Sequence, residues 1–276
     1  MPSVTLAAAT IEYRLVGAHG DPTVLIHGSW TDRAVWAEVV RPLSRGLATL
    51  TYDRRGYGGS RGPVPERPVR EDADDLARLM ESLDLFPAHL IGQGFGGAVA
   101  LRLAVDRPEL VRSVVAHDPP FLVLLEENPV WRAEAGAAIA ELRRDQARVR
   151  AGEGAQVARE RWDREAGAAG AWDQIEEELR RRWAGFADRW VLERQDPESL
   201  RPDPSELSGL DLPVLLTTGE RSWPLYERIG EQLVETLRNA SLRTLPGVGH
   251  QPSLTAPEAF VGTLMSFLLE RDVPST

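Results

Sequence analysis

The residues from His89 to Ala98, His-Leu-Ile-Gly-Gln-Gly-Phe-Gly-Gly-Ala, read as a strand, a glycine turn and a helix start. Two chemistries use that geometry. Gly92, Gly94 and Gly97 have the G-x-G-x-x-G spacing that brings a pyrophosphate onto backbone N–H groups at a helix N-terminus. Asp118 follows at about the distance of a ribose-binding acid, roughly 20 residues on. The same run also has the spacing of a sharp turn that presents a nucleophile between small residues, with Gly94 in the nucleophile's place. Near the other end, His250 in Pro-Gly-Val-Gly-His follows the final β-type run, where an imidazole could move a proton. Other chemistries are closed: the chain has no Cys, and all 32 of its basic residues are Arg. Thiolate nucleophiles, thiolate metal sites and Schiff bases are thereby excluded.

These residues need a scaffold, and the pattern around them supplies one. Runs of β type cover Val4 to Ala8, Thr10 to Val16, Thr23 to His27, Ala48 to Tyr52, His89 to Gly92 and Val111 to His117, then Pro213 to Thr218 and Ser241 to Leu245. The first two suggest a hairpin. Helical patterns over Thr31 to Leu43, Glu71 to Leu83, Phe95 to Val105, Pro224 to Leu237 and Pro257 to Leu269 alternate with the later runs. Such alternation predicts an α/β fold, a mostly parallel eight-stranded sheet flanked by helices. Residues 119–208 break the rhythm. They lack β-type runs and are rich in Ala, Arg, Glu and Trp, which predicts a helical lid inserted between a core of residues 1–118 and 209–276.

Context separates the two readings of the glycine run, because a dinucleotide fingerprint opens its sheet, whereas four β-type runs precede this one. With Val24-Leu-Ile-His27 running into Gly28-Ser29-Trp30, Asp53 to Ser60 after the fourth run, the glycine turn and the late His250, the chain resembles the α/β-hydrolase fold superfamily from Thr5 to Leu269. The likeness is to its lidded, esterase- and lactonase-like members. It implies that His250 is the catalytic base and that an acid orients it. The position used most often, after the seventh strand, holds Ser222, with Glu220 nearby; the alternative, at the end of the sixth strand, holds Asp118, which is favoured. The resemblance also implies an oxyanion hole from the N–H groups of Ser29 and Phe95. Its break is Gly94, which has no side chain to attack a carbonyl.

Three functions follow from that break. His250 and Asp118 could run general acid–base chemistry on a carbonyl substrate as a lyase, isomerase, cyclase or biosynthetic enzyme, or by activating water. Alternatively, a serine ester or lactone hydrolase has had its nucleophile replaced, or a ligand-binding relative has lost its chemistry. Tryptophans in residues 119–208 point to an apolar or aromatic small-molecule substrate, with Trp30, Phe121, Trp131, Trp183 and Trp223 as candidate contacts. With 42 acidic against 32 basic side chains and a net charge of −10, the 276-residue chain suits neither nucleic acid nor an anionic membrane. The sequence thus reads as a cytoplasmic monomer or homodimer that uses neither cofactor nor metal. One measurement separates the two readings of the glycines. Titration with NADH or NADPH is expected to give no saturable fluorescence change, and micromolar binding would restore the dinucleotide reading.

Overall fold

Parallel β-runs linked by amphipathic helices bury both faces of a sheet. The computed structural model describes residues 1–269 and shows such a sheet, built from eight strands. These are β1 (Ser3–Thr5), β2 (Thr10–Val16), β3 (Pro22–Ile26), β4 (Ala48–Tyr52), β5 (Ala88–Gln93), β6 (Val111–His117), β7 (Val214–Gly219) and β8 (Ala240–Leu245). Their spatial order is β1-β2-β4-β3-β5-β6-β7-β8. β1 pairs with β2, and β2 with β4, antiparallel; the remaining pairings are parallel. Strands β5 and β7 are buried along their whole length, and their chains leave the sheet at its carboxyl edge, where ligands bind in such folds.

Helices α1 (Ala37–Leu43), α2 (Pro68–Ser82) and α3 (Phe95–Asp106) connect the early strands. Between β6 and β7 lies the helical insertion: α4 (Val123–Glu126), α5 (Arg132–Arg148), α6 (Gly154–Glu165), α7 (Glu177–Ala184), α8 (Ala187–Gln195) and α9 (Pro204–Leu207). After it come α10 (Pro224–Thr236), α11 (Pro252–Thr255) and α12 (Pro257–Leu269). Among the described residues no helix is long and apolar enough to cross a membrane.

Boundaries moved where local chemistry outweighs periodicity. β1 stops at Thr5 rather than Ala8, because Leu6 N–H donates to the Ala9 carbonyl (2.7 Å) and closes the hairpin turn. The helix expected from Thr31 begins instead as a 3₁₀ turn at Arg33, capped by Asp32, whose carboxylate accepts from Ala34 N–H at 3.0 Å. Trp30 just before it has φ +64, which no helix accommodates. α2 starts at Pro68, three residues before the expected Glu71, since proline suits the first helical position.

A buried charge network ties the insertion to the core. Arg54, fully buried after β4, donates to Asp72 of α2 and Glu193 of α8, each at 2.7 Å, and to the carbonyls of His27 and Gly28. Tyr57 donates to the same Glu193 oxygen at 2.7 Å, while Ser29 donates to the other at 2.5 Å. His27 accepts from Arg54 N–H at Nε2 (3.0 Å), and its Nδ1 faces the Gly28 carbonyl (2.8 Å). Burial, and then the Arg54 charge, hold this ring well below the ordinary histidine pKa, so it is neutral and structural. Deleting one partner strands a buried charge. Glu193→Ala is therefore expected to cost about 3–5 kcal/mol in urea unfolding; a loss below about 1 kcal/mol, the scale of an exposed pair, would contradict the network's weight.

Candidate active site

β5 delivers the chain into a turn that only small residues permit. A Cβ on Gly92 would lie 2.2 Å from the Gly96 carbonyl oxygen, and one on Gly96 would lie 2.2 Å from that of Ile26. Strand β5, helix α3 and strand β3 therefore touch backbone to backbone. Gly94 stands at the apex with φ +55 and ψ −121, a conformation that strains an L side chain and costs glycine little. Its N–H donates to the His117 carbonyl at 2.8 Å. A Cβ built on Gly94 would point at His250, 3.2 Å from Nε2.

His250 comes from the loop after β8, and Asp118 from the end of β6. Nδ1 of His250 lies 3.1 Å from Asp118 Oδ2, which also accepts from Ser222 Oγ at 2.6 Å. His117 Nε2 comes within 3.2 Å of the same oxygen. Both Asp118 and the ring of His250 are buried. Burial pushes the Asp118 carboxyl up, but His117 and His250 outweigh it and hold it well below the usual range, so it is a carboxylate. For His250 burial acts downward, yet the Asp118 hydrogen bond and the charges of Glu165 and Asp118 carry the pKa above the ordinary 6.5. Tyr226 stacks on the imidazole, with centroids 4.9 Å apart and planes at 10°. His117, Asp118 and His250 are also the group of possible metal ligands found among the described residues. Of its two rings, His250 hydrogen-bonds Asp118 Oδ2 through Nδ1, whereas His117 Nε2, 3.2 Å from the same oxygen, makes no hydrogen bond.

A pocket of about 450 Å³, mouth included, opens in front of Gly94 and His250. Ser29, Trp30, Phe95 and Trp223 border it, as expected, and so do Trp190 and Tyr226. Neither Ser29 N–H nor Phe95 N–H has an acceptor among the described residues. Three residues expected at the substrate lie elsewhere. Phe121 lines a separate cleft with Ala98, Leu101 and Leu207. Trp183 is wholly buried against Trp162 (5.5 Å), and Trp131 lies under the Arg228 guanidinium (4.8 Å). Phe121 thus faces α3 and α9, while Trp183 joins elements of the insertion to one another and Trp131 meets α10. Glu220 is exposed and accepts from Gly247 N–H at 2.6 Å, away from His250.

The pocket also holds charges that the sequence did not signal. Glu165, at the end of α6, brings Oε2 to 3.7 Å from His250 Nε2, and its carbonyl accepts from His250 N–H at 3.1 Å. Its other oxygen accepts from Arg161 at 2.8 Å, one turn back on α6. Arg194 of α8 donates to Ser29 Oγ at 3.2 Å. In an Arg- and Glu-rich segment nothing distinguishes these three from solvated neighbours. The backbone offers a further mark: Trp30 (φ +64) and Gly94 (φ +55), which line this space, and Asp118 (φ +46), bonded to His250, all have positive φ.

The family profile of alpha/beta hydrolases matches residues 23–263. This chain belongs to the alpha/beta hydrolase family. Among curated members it is 30% identical over 134 residues to the uncharacterized hydrolase YraK of Bacillus subtilis, a match covering 48% of this chain and 49% of that one. The chain spans about half the length of the curated relatives it matches. Among solved structures it resembles MGS-M2, an alpha/beta hydrolase from a Medee basin deep-sea metagenome library, with TM-score 0.81 and 19% identity, covering 99% of this chain and 98% of that one. A thermophilic esterase from Thermogutta terrifontis has TM-score 0.77 and 23% identity, covering 98% and 99%. At such identities the likeness is one of fold, the α/β-hydrolase fold.

In this family member the raised His250 pKa has a testable sign. Protonated His250 contributes stability fully below pH 6.5, and that contribution is lost as pH rises through the folded value. Asp118→Asn removes the supporting charge, so the imidazole titration, followed by its Cε1–H proton resonance, should move to lower pH. An unchanged or higher midpoint would sever the assigned pairing.

Proposed function

We propose that this chain is an enzyme of the alpha/beta hydrolase family in which His250 moves a proton at the place where a nucleophilic side chain would stand. One observation carries the reading: the position of the absent Gly94 Cβ lies 3.2 Å from Nε2, so the ring faces room for a water or a substrate atom. Asp118 at Nδ1 fixes the tautomer with its lone pair on Nε2 and favours the imidazolium once formed. Glu165, 3.7 Å from Nε2, favours the same cation. The uncommitted N–H groups of Ser29 and Phe95 form the oxyanion hole.

Two reactions share this proton step. With water in the vacated space, its oxygen attacks the substrate carbonyl while its proton passes to Nε2; the tetrahedral oxyanion then collapses, and the departing group takes that proton back. With a substrate C–H there instead, Nε2 receives the proton and the enolate oxygen rests on the two amides, as a lyase, isomerase or cyclase requires. The acyl-enzyme route is closed because residue 94 carries no hydroxyl. In this reading residues 119–208 act as a lid on the core formed by residues 1–118 and 209–276, and the aromatic pocket wall selects a small molecule with an apolar or aromatic part.

The machinery can be tested without its substrate. The wild-type protein is expected to form no covalent adduct with a fluorophosphonate by intact mass, Gly94→Ser to gain one stoichiometrically, and Gly94→Ser combined with His250→Ala to lose it. The backbone at 94 makes the serine cost about 1–3 kcal/mol, which a thermal melt checks. A wild-type adduct, or a folded but inert Gly94→Ser, would overturn the proposal.

A further inference from the structure

The pocket in front of Gly94 contains a cation that no carboxylate pairs with directly among the described residues. Besides His250 and Tyr226, three charged side chains line the pocket: Arg161, Glu165 and Arg194. Arg161 is committed to Asp145 (3.1 Å) and Glu165 (2.8 Å). Arg194 accepts no such partner. Its one hydrogen bond among the described residues is the 3.2 Å contact to Ser29 Oγ, and no carboxylate reaches salt-bridge distance of its guanidinium. The nearest acid in sequence, Glu193, spends its oxygens on Arg54, Tyr57 and Ser29. Burial pulls the Arg194 pKa below its usual value and outweighs the attraction of Glu193, Tyr226 and Glu165, none of which pairs with it directly. Elsewhere the structure pairs its buried cations, as at Arg54, Arg55 and Arg161.

From this placement we propose that Arg194 is an anion subsite, and that the substrate of the pocket carries a carboxylate. The inference rests on the reading of this pocket as the active site and names the substrate class for it. With two arginines against one glutamate the lining has a formal charge of +1, in a chain whose net charge is −10. A +1 site matches a monoanion, and a guanidinium fork matches a carboxylate in two parallel hydrogen bonds. The site also has direction. Ser29 ties Arg194 to the same backbone whose N–H faces the reacting centre, so a carboxylate there lies on the oxyanion side of the pocket while the rest of the molecule extends along Trp30, Trp190 and Trp223. An aromatic or alkyl carboxylic acid bearing a second, reacting carbonyl fits both features.

Binding to the resting protein tests this independently of turnover and of the phosphonate experiment. The probes are phenylacetate and the neutral isostere phenylacetamide, titrated calorimetrically into wild-type protein and Arg194→Gln. Phenylacetate is expected to saturate wild type with at least tenfold higher affinity than the amide, the scale of one charge-assisted pair. Arg194→Gln should erase that preference by weakening the acid alone, with Arg194→Lys in between because it keeps the charge but not the fork. A structural cation would behave otherwise: Arg194→Gln is expected to leave the melting temperature unchanged or raised. Equal affinities for acid and amide, no saturable binding of phenylacetate, or a preference that survives Arg194→Gln would each overturn the subsite.

Discussion

Arg54 is the constraint on which the rest of the structure leans. A guanidinium with no solvent must have its donors met, and here they are met by groups from different parts of the fold: Asp72 from α2, Glu193 from the insertion, and the carbonyls of His27 and Gly28. Those carbonyls belong to the loop that ends in Ser29 and Trp30. The position of the loop N–H beside Gly94 is thus set by the same charge that fastens α8 to the core. A site of this kind needs its hydrogen-bond donors held still, and buried ion pairs that cannot relax toward water hold them so.

The glycine turn illustrates a second separation, between the scaffold of a site and its reactive atom. Gly92 and Gly96 are required by the packing of β5, α3 and β3, and no larger residue fits without moving backbone. Gly94 has no such role; its Cβ direction is open apart from the imidazole. The packing that forms the turn therefore does not depend on residue 94, although its positive φ strains any side chain placed there. The spacing of Asp118, His250 and the Ser29 and Phe95 amides is thus set by the scaffold and not by the side chain at 94.

Much of this was legible in the sequence. Period-two runs located β2, β4 and β6 to the residue, and the order of elements implied the sheet, because the strands are the chain's apolar runs and burial demands them. The loop histidine, the acid after β6 and the two amide positions followed from a family resemblance, and the structure brings those residues together around one pocket. Asp118 was less visible than its place in the geometry suggests, since the position used most often for the acid lies after the seventh strand, at Ser222. What escaped was long-range and electrostatic. Glu165, Arg161 and Arg194 matter through what α6 and α8 pack against, and a charge in a helical Arg/Glu-rich stretch has the same spacing whether it meets water or an imidazole. Tryptophans misled for the related reason that indole is a favoured filler between helices: Trp183 and Trp162 pack on each other, while Trp190 faces the pocket.

The hydrogen bond from His250 N–H to the Glu165 carbonyl has a consequence for how a molecule could get in. The end of α6 is stitched to the histidine loop, whereas α8 is anchored through buried charges to the sheet side. The two helices of the insertion nearest the pocket are therefore held by different means, α6 by an amide bond, a charge contact and close backbone packing of Ala166 on Gly249, α8 by a multiply bonded guanidinium. A ligand that pressed α6 outward would therefore pull on the backbone of His250 as well, which couples the shape of the pocket wall to the placement of the imidazole.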